Sequence, residues 1–94
     1  MREQVSVGRF ADNHVFIEDR EVSGRHALLN WDSKEWTWQV RDMGSMNGTR
    51  LNGNFISNAA RRPAKHHPLS SDDILLLGSR TAMKVRCCRP VAPQ

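Results

Sequence analysis

The sequence predicts an all-β fold, an antiparallel sandwich. Three observations carry this expectation. No window places apolar residues at i, i+3, i+4 and i+7 for three turns, so amphipathic helices are not expected. Short runs with a two-residue period recur along the chain instead. Gly, Asn and Asp turn signals separate those runs, as sandwich strands require.

The elements follow in order. Gln4 to Arg9 alternates Val5 and Val7 and reads as the first strand. Val15-Phe16-Ile17 is short and apolar. His26 to Trp31 is a half-buried run that ends at a polar turn, Asp32-Ser33-Lys34-Glu35. Trp36, Trp38 and Val40 then alternate with Thr37, Gln39 and Arg41, so the two runs read as a hairpin. The stretch Met43-Gly44-Ser45-Met46-Asn47-Gly48-Thr49 is rich in turn formers. Leu51 and a second reversal, Asn52-Gly53, come after it. Ile74 to Leu77 reads as a buried strand closed by Gly78, and Ala82 to Cys87 as the last strand. Residues 57–68 contain two prolines and show no period, so they read as a basic surface insertion. Residues 1–88 then form the domain, and residues 89–94, with two more prolines, a disordered tail.

Ninety-four residues make one small domain and exclude a deep active site between two lobes. Leu, Ile, Val and Phe number 20, barely enough to fold, so the expected core is thin. No apolar run reaches the ~18 residues of a membrane span, and no apolar stretch follows Met1-Arg2-Glu3-Gln4. The expectation is therefore no signal peptide, no direct membrane insertion and a reducing location, cytoplasmic or nuclear. Cys87 and Cys88 are adjacent and cannot staple a fold, and His14, His26, His66 and His67 lack the spacing of a zinc site. Neither a metal nor a cofactor is expected.

The net charge is +4 but unevenly spread. Residues 1–57 carry seven Lys/Arg against eight Asp/Glu, and residues 58–94 carry seven against two. The basic excess belongs to one late loop and the tail. No aromatic residue follows Phe55, so the basic stripe interleaved with aromatics of a nucleic-acid binder is missing.

Four fragments lie on loops at strand edges: Gly8-Arg9, Ser23-Gly24-Arg25-His26, Asn47-Gly48-Thr49, and Asp73-Ile74 ahead of Leu77-Gly78. Loops at one end of a sandwich converge. Two arginines, a serine and an asparagine brought together suit a phosphate monoester on an extended peptide. The guanidinium fork binds two phosphate oxygens, a serine hydroxyl donates a third hydrogen bond, and an asparagine amide pairs with peptide backbone.

Gly-Arg, then Ser-x-x-His about fourteen residues later, then Asn-Gly-Thr about twenty further on, resembles the forkhead-associated (FHA) domain. That family reads phosphorylated motifs. The resemblance runs from about Val5 to Val85. The stretches Glu21–Ala27, Asp42–Thr49 and Ser71–Ile74, with the basic insertion, are most similar to the domain of plant kinase-associated protein phosphatases. The resemblance implies an FHA-like sandwich without catalysis that recruits an attached effector, a phosphatase for instance, to phosphothreonine-containing proteins such as receptor-like protein kinases. A location at the inner face of the plasma membrane, through partner or parent chain, would follow. By the same resemblance Arg9, Ser23 and Arg25 contact the phosphate and Asn47 holds the peptide main chain. Gly8, His26, Gly48 and Thr49 support the loops.

Two features depart from the family pattern. Met46 stands where a small polar residue is common, which removes one side-chain hydrogen bond to phosphate. Only seven residues precede Gly8, so a leading edge strand is expected to be missing and sheet edge exposed.

Plainer readings stand beside these. The alternatives are a surface arginine for Arg9, a turn cap for Ser23 and a tight reversal for Asn47-Gly48, the last compatible with peptide contact. Asn47-Gly48-Thr49 matches a glycosylation sequon. Trp31, Trp36 and Trp38 read as packing residues. Arg61, Arg62, Lys65, His66 and His67 read as a solvated loop, with a nucleic-acid or acidic-lipid patch as the alternative. The rival functions are a nucleic-acid-binding domain using residues 57–68 and a structural adaptor with a degenerate pocket. The favoured partner set contains no nucleic acid.

Overall fold

The computed structural model of the chain describes residues 3–56 and 65–86. Among the described residues nine strands follow one another: β1 Gln4–Gly8, β2 Val15–Phe16, β3 Ala27–Asp32, β4 Thr37–Asp42, β5 Thr49–Leu51, β6 Asn54–Phe55, β7 His67–Pro68, β8 Ile74–Leu77 and β9 Thr81–Lys84. No helix occurs among the described residues. One sheet has the order β2-β1-β3-β4-β7 and the other β6-β5-β8-β9. Every pairing is antiparallel except β1 with β2, which run parallel through Val7↔Val15 and Gly8↔Phe16.

Alternation explains the sandwich. The register sets Val5 opposite Leu29, Val7 opposite Ala27, and Leu29 opposite Val40, so these side chains share one face of the first sheet. Leu75 and Leu77 of β8 face them from the second sheet, with Leu51 and Met83 on either side of Leu75. Val7, Val22, Ala27, Val40, Ile56, Leu69, Leu75 and Leu77 form the buried core. Each fully buried aliphatic chain is worth roughly 1.5–3 kcal/mol, so a core this small tolerates few losses. Where the sheets part, an apolar groove of about 290 Å³ opens beside Val5, Leu29, Trp38 and Met83. Leu29 and Trp38 are for that reason only partly buried.

Several expectations are corrected. Trp36 is not in a strand: it sits in the turn at φ 54°, and β4 starts at Thr37. Its ring packs edge-on against Trp31, 5.1 Å between centroids, and Trp31 in turn packs against Trp38. Ile74 to Leu77 is not buried throughout. Ile74 points outward and is exposed, because only alternate residues of β8 meet the other sheet. The last strand ends at Lys84; Cys87 and Cys88 lie outside the described residues.

Most of the expected insertion, residues 57–64, and the expected tail, residues 89–94, also lie outside them. The end of the insertion is no loop. His67 and Pro68 pair with Val40 and Gln39 as an edge strand, a place where proline is tolerated. The sheet edge expected to stand open beside β1 is covered at Val7–Gly8 by β2. Further along, the His14 ring accepts the Ser6 amide at 2.9 Å.

Candidate functional site

The site is assembled where β1 ends. The amide of Arg9 donates to the Ser23 carbonyl at 3.0 Å and that of Phe10 to the Gly24 carbonyl at 3.3 Å, so the β1–β2 loop is zipped to the β2–β3 loop. This approach requires glycine at position 8. A Cβ there would lie 2.2 Å from the Gly24 carbonyl oxygen. The Phe10 ring lies over Gly24 in the same way, with ring carbons 2.4–2.6 Å from where a Cβ would be. Asn13 locks the junction: its Nδ2 donates to the Phe10 and Gly24 carbonyls at 2.8 and 2.7 Å.

His26 joins this pair of loops to the next. It is fully buried. Its Nδ1 accepts from the Ser23 amide at 3.0 Å and its Nε2 donates to the Gly48 carbonyl at 2.9 Å, which fixes the tautomer. The loop carrying Asn47 is shaped by Asp42. That buried carboxylate accepts from the amides of Gly44 and Ser45, from the Ser45 hydroxyl, and from Thr49 Oγ1 at 2.6 Å. Gly44 and Gly48 take the left-handed conformations, φ 75° and 86°, that the loop demands.

A fourth segment braces the rim. Asn47 Nδ2 donates to the Glu21 carbonyl at 2.9 Å, and the Glu21 carboxylate accepts from Ser79 Oγ and Arg80 Nε in the β8–β9 turn. Asp19 accepts from Thr81 Oγ1 at 2.6 Å and from the Glu21 amide at 2.9 Å. Those bonds hold its carboxyl below the ordinary carboxylate value. Gly78 donates to the Gly48 carbonyl at 3.1 Å. Of the fragment Asp73 to Gly78, only the Gly78 end reaches the site. Asp73 lies at the other end of β8, capping Ser70 and Asn52.

The loops thus present four polar side chains. Arg9 is exposed, and among the described residues its guanidinium has no hydrogen-bond or ion-pair partner. Ser23 Oγ accepts from the Met46 amide at 3.0 Å, which leaves its hydroxyl hydrogen to donate outward. Position 46 therefore serves the pocket through its backbone, while the Met46 side chain is 89% exposed. Asn47 is exposed and keeps its Oδ1 as an acceptor. Arg25 differs from Arg9. Its Nη1 and Nη2 bind Asp12, Nη1 also donates to Asn13 Oδ1, and its guanidinium stacks 5.4 Å from the Phe10 ring centroid. The hydrogen bonds from Arg25 hold the Asp12 carboxyl below its ordinary value, and the same bonds raise the Arg25 value.

Gly8, His26, Gly48 and Thr49 are buried beneath these groups. Sequence reasoning missed Asp12, Asn13, Glu21 and Asp42. Asp42 carried a local signal, Asp followed by Gly at +2 and Ser at +3, which marks an Asx turn. Asp12 and Asn13 carried none, because the partners that join them to the next loop, Gly24 and Arg25, lie eleven to thirteen residues away.

The FHA domain family model matches residues 5–78, most of the chain. The chain belongs to the FHA domain family. FHA domains are non-catalytic phosphopeptide-binding modules, and among the described residues of this one no cluster of His, Cys, Asp or Glu could hold a metal ion. The chain is 40% identical over 85 residues to protein phosphatase 2C 70 of Arabidopsis thaliana. That match takes in 87% of this FHA domain and 15% of the phosphatase. It is similar to the kinase-interacting FHA domain of the Arabidopsis kinase associated protein phosphatase, with TM-score 0.80 and 40% identity over 88% of this chain and 70% of that one. A structure described for phosphothreonine-dependent FHA domain interactions aligns with TM-score 0.73 and 28% identity, covering 93% of this chain and 80% of that one.

Proposed function

We propose that this FHA domain binds a phosphothreonine within an extended segment of a partner protein. Arg9 and Arg25 hold the phosphate, the Ser23 hydroxyl donates to it, and Asn47 pairs with the peptide main chain beside it. The observation that supports the reading is that the loops carrying these four side chains are tied together by Gly8, Asn13, His26 and Asp42. A pocket built this way is preorganised, so little ordering opposes binding. Each hydrogen bond to a charged group is worth roughly 1.5–3 kcal/mol, and two of them suffice to separate a phosphorylated from a plain peptide by about a hundredfold.

The phosphatase relatives support the partner class that we propose. A domain of this kind, joined to a phosphatase, brings that enzyme to a phosphorylated receptor-like kinase. The chain spans only 15% of the phosphatase it matches, so this recruitment belongs to a longer protein. The test is capture of an autophosphorylated receptor-like kinase cytoplasmic domain by the immobilised FHA domain, beside the same kinase stripped of phosphate. Retention of the first alone supports the reading. Equal retention of both contradicts it.

A further inference from the structure

Arg25, one of the two cations assigned to the phosphate, is already held by an anion. Its Nη1 donates to Asp12 Oδ1 at 2.8 Å and its Nη2 to Asp12 Oδ2 at 2.7 Å. A carboxylate therefore fills the end of the guanidinium fork, in the bidentate geometry that two phosphate oxygens would take. Asp12 stands three residues after Arg9, on the same β1–β2 loop, and its carboxylate lies against the Arg25 guanidinium. The pair is no buried strut: the side chains of Arg25 and Asp12 are 47% and 69% exposed. An exposed pair exchanges partners easily, and removing it costs the fold little.

We infer that Asp12 is a specificity-determining residue, an internal competitor that occupies the Arg25 guanidinium until a phosphate displaces it. The inference rests on the assignment of Arg25 to the phosphate. An Asp or Glu side chain of a partner offers Arg25 only what Asp12 already supplies, and Asp12 is tethered beside it at high effective concentration. A phosphothreonine brings a charge of about −1.5 to −2 and three acceptor oxygens, so it alone gains by the exchange. Asp12 thereby lowers affinity for every anion and keeps acidic, unphosphorylated segments below the threshold of binding.

The test is Asp12→Asn, which keeps the size and removes the charge. The probes are a phosphothreonine peptide selected from a library and its analogue with Glu at the phosphorylated position. Asp12→Asn is expected to bind the phosphopeptide about two- to fivefold tighter, the range of an exposed ion pair. Binding of the Glu analogue, below detection in the parent, becomes measurable. In an Arg25→Ala background the gain from Asp12→Asn shrinks, because no fork is left to release. Unchanged or weaker phosphopeptide binding by Asp12→Asn overturns the inference. So does an equal gain with and without Arg25, which reports only a general field. Intact phosphopeptide binding by Arg25→Ala alone overturns the assignment of Arg25 itself, so the two failures are told apart. A thermal melt shows that each variant is folded.

Discussion

His26 Nε2 donates to the carbonyl oxygen of Gly48 at 2.9 Å, across 22 positions of sequence. Through its Nδ1 the same ring holds the Ser23 amide, so a single side chain sets the spacing between the loop of Ser23 and the loop of Asn47. The ring is fully buried.

His26→Ala leaves the Ser23 amide unpaired, leaves the Gly48 carbonyl with only the Gly78 amide as donor, and opens a cavity. The expected loss is about 2–5 kcal/mol of stability. For a domain of this size that lowers the melting temperature by more than about 10 °C. Thermal unfolding followed by circular dichroism checks it. A shift under about 2 °C would show that the bridge is dispensable.

Gly8→Ala tests the contact between two loops. The added Cβ meets backbone, the Gly24 carbonyl, rather than a side chain that can swing away. Overpacking of this kind costs about 1–3 kcal/mol or more, and here it also spreads the pocket. Both a lower melting temperature and weaker phosphopeptide binding are expected. Unaltered binding in the folded variant would detach the Gly8–Gly24 junction from the site.

Acid acts on the far end of the sandwich. Asp73 accepts from the Ser70 amide at 2.8 Å and from Asn52 Nδ2 at 3.0 Å, and these bonds hold its carboxyl below the ordinary value. A folded-state value depressed below the unfolded one contributes stability that is present above about pH 4 and lost as pH falls through the folded value. Asp73→Asn is therefore less stable than the parent at pH 7, and the gap narrows below about pH 4. Calorimetric scans of both proteins at pH 7, 5 and 3.5 check the sign. A gap that widens in acid contradicts it.

The strands legible in the sequence were β1, β3 and β4 by alternation, β2 and β8 as short apolar runs, and β9, whose end was set too late. The two-residue strands β6 and β7 were not assigned, because two residues carry no period. The parallel pairing of β2 with β1 had no local signature. Trp36 misled because its place in the alternation was right and its φ was not. The loops of Gly8, Ser23 and Asn47 were legible as turns with unusual polar residues. The braces beneath them were less so. Asp12, Asn13 and Glu21 each bind residues distant in sequence, and only a structure shows that the Arg25 guanidinium is paired with the Asp12 carboxylate.

Arg61, Arg62 and Lys65 are expected to steer an acidic, phosphorylated partner by long-range attraction rather than to contact it, and Arg61 and Arg62 lie outside the described residues. Replacing all three with Ser should slow association, chiefly at low salt, and leave dissociation nearly unchanged. Stopped-flow measurements at two ionic strengths check this. Faster dissociation in the variant would mean that the stretch touches bound peptide.

The most direct test of the central claim is calorimetric titration of the domain with a phosphothreonine peptide and with its unmodified twin, repeated on Arg9→Ala. Arg9 is exposed and has no partner among the described residues, so its replacement should leave the melting temperature within about 2 °C. The account predicts binding of the phosphopeptide only, with more than about a hundredfold separating the twins, and loss of that binding in folded Arg9→Ala. Equal affinity for the two peptides, or undiminished phosphopeptide binding by Arg9→Ala, would contradict it.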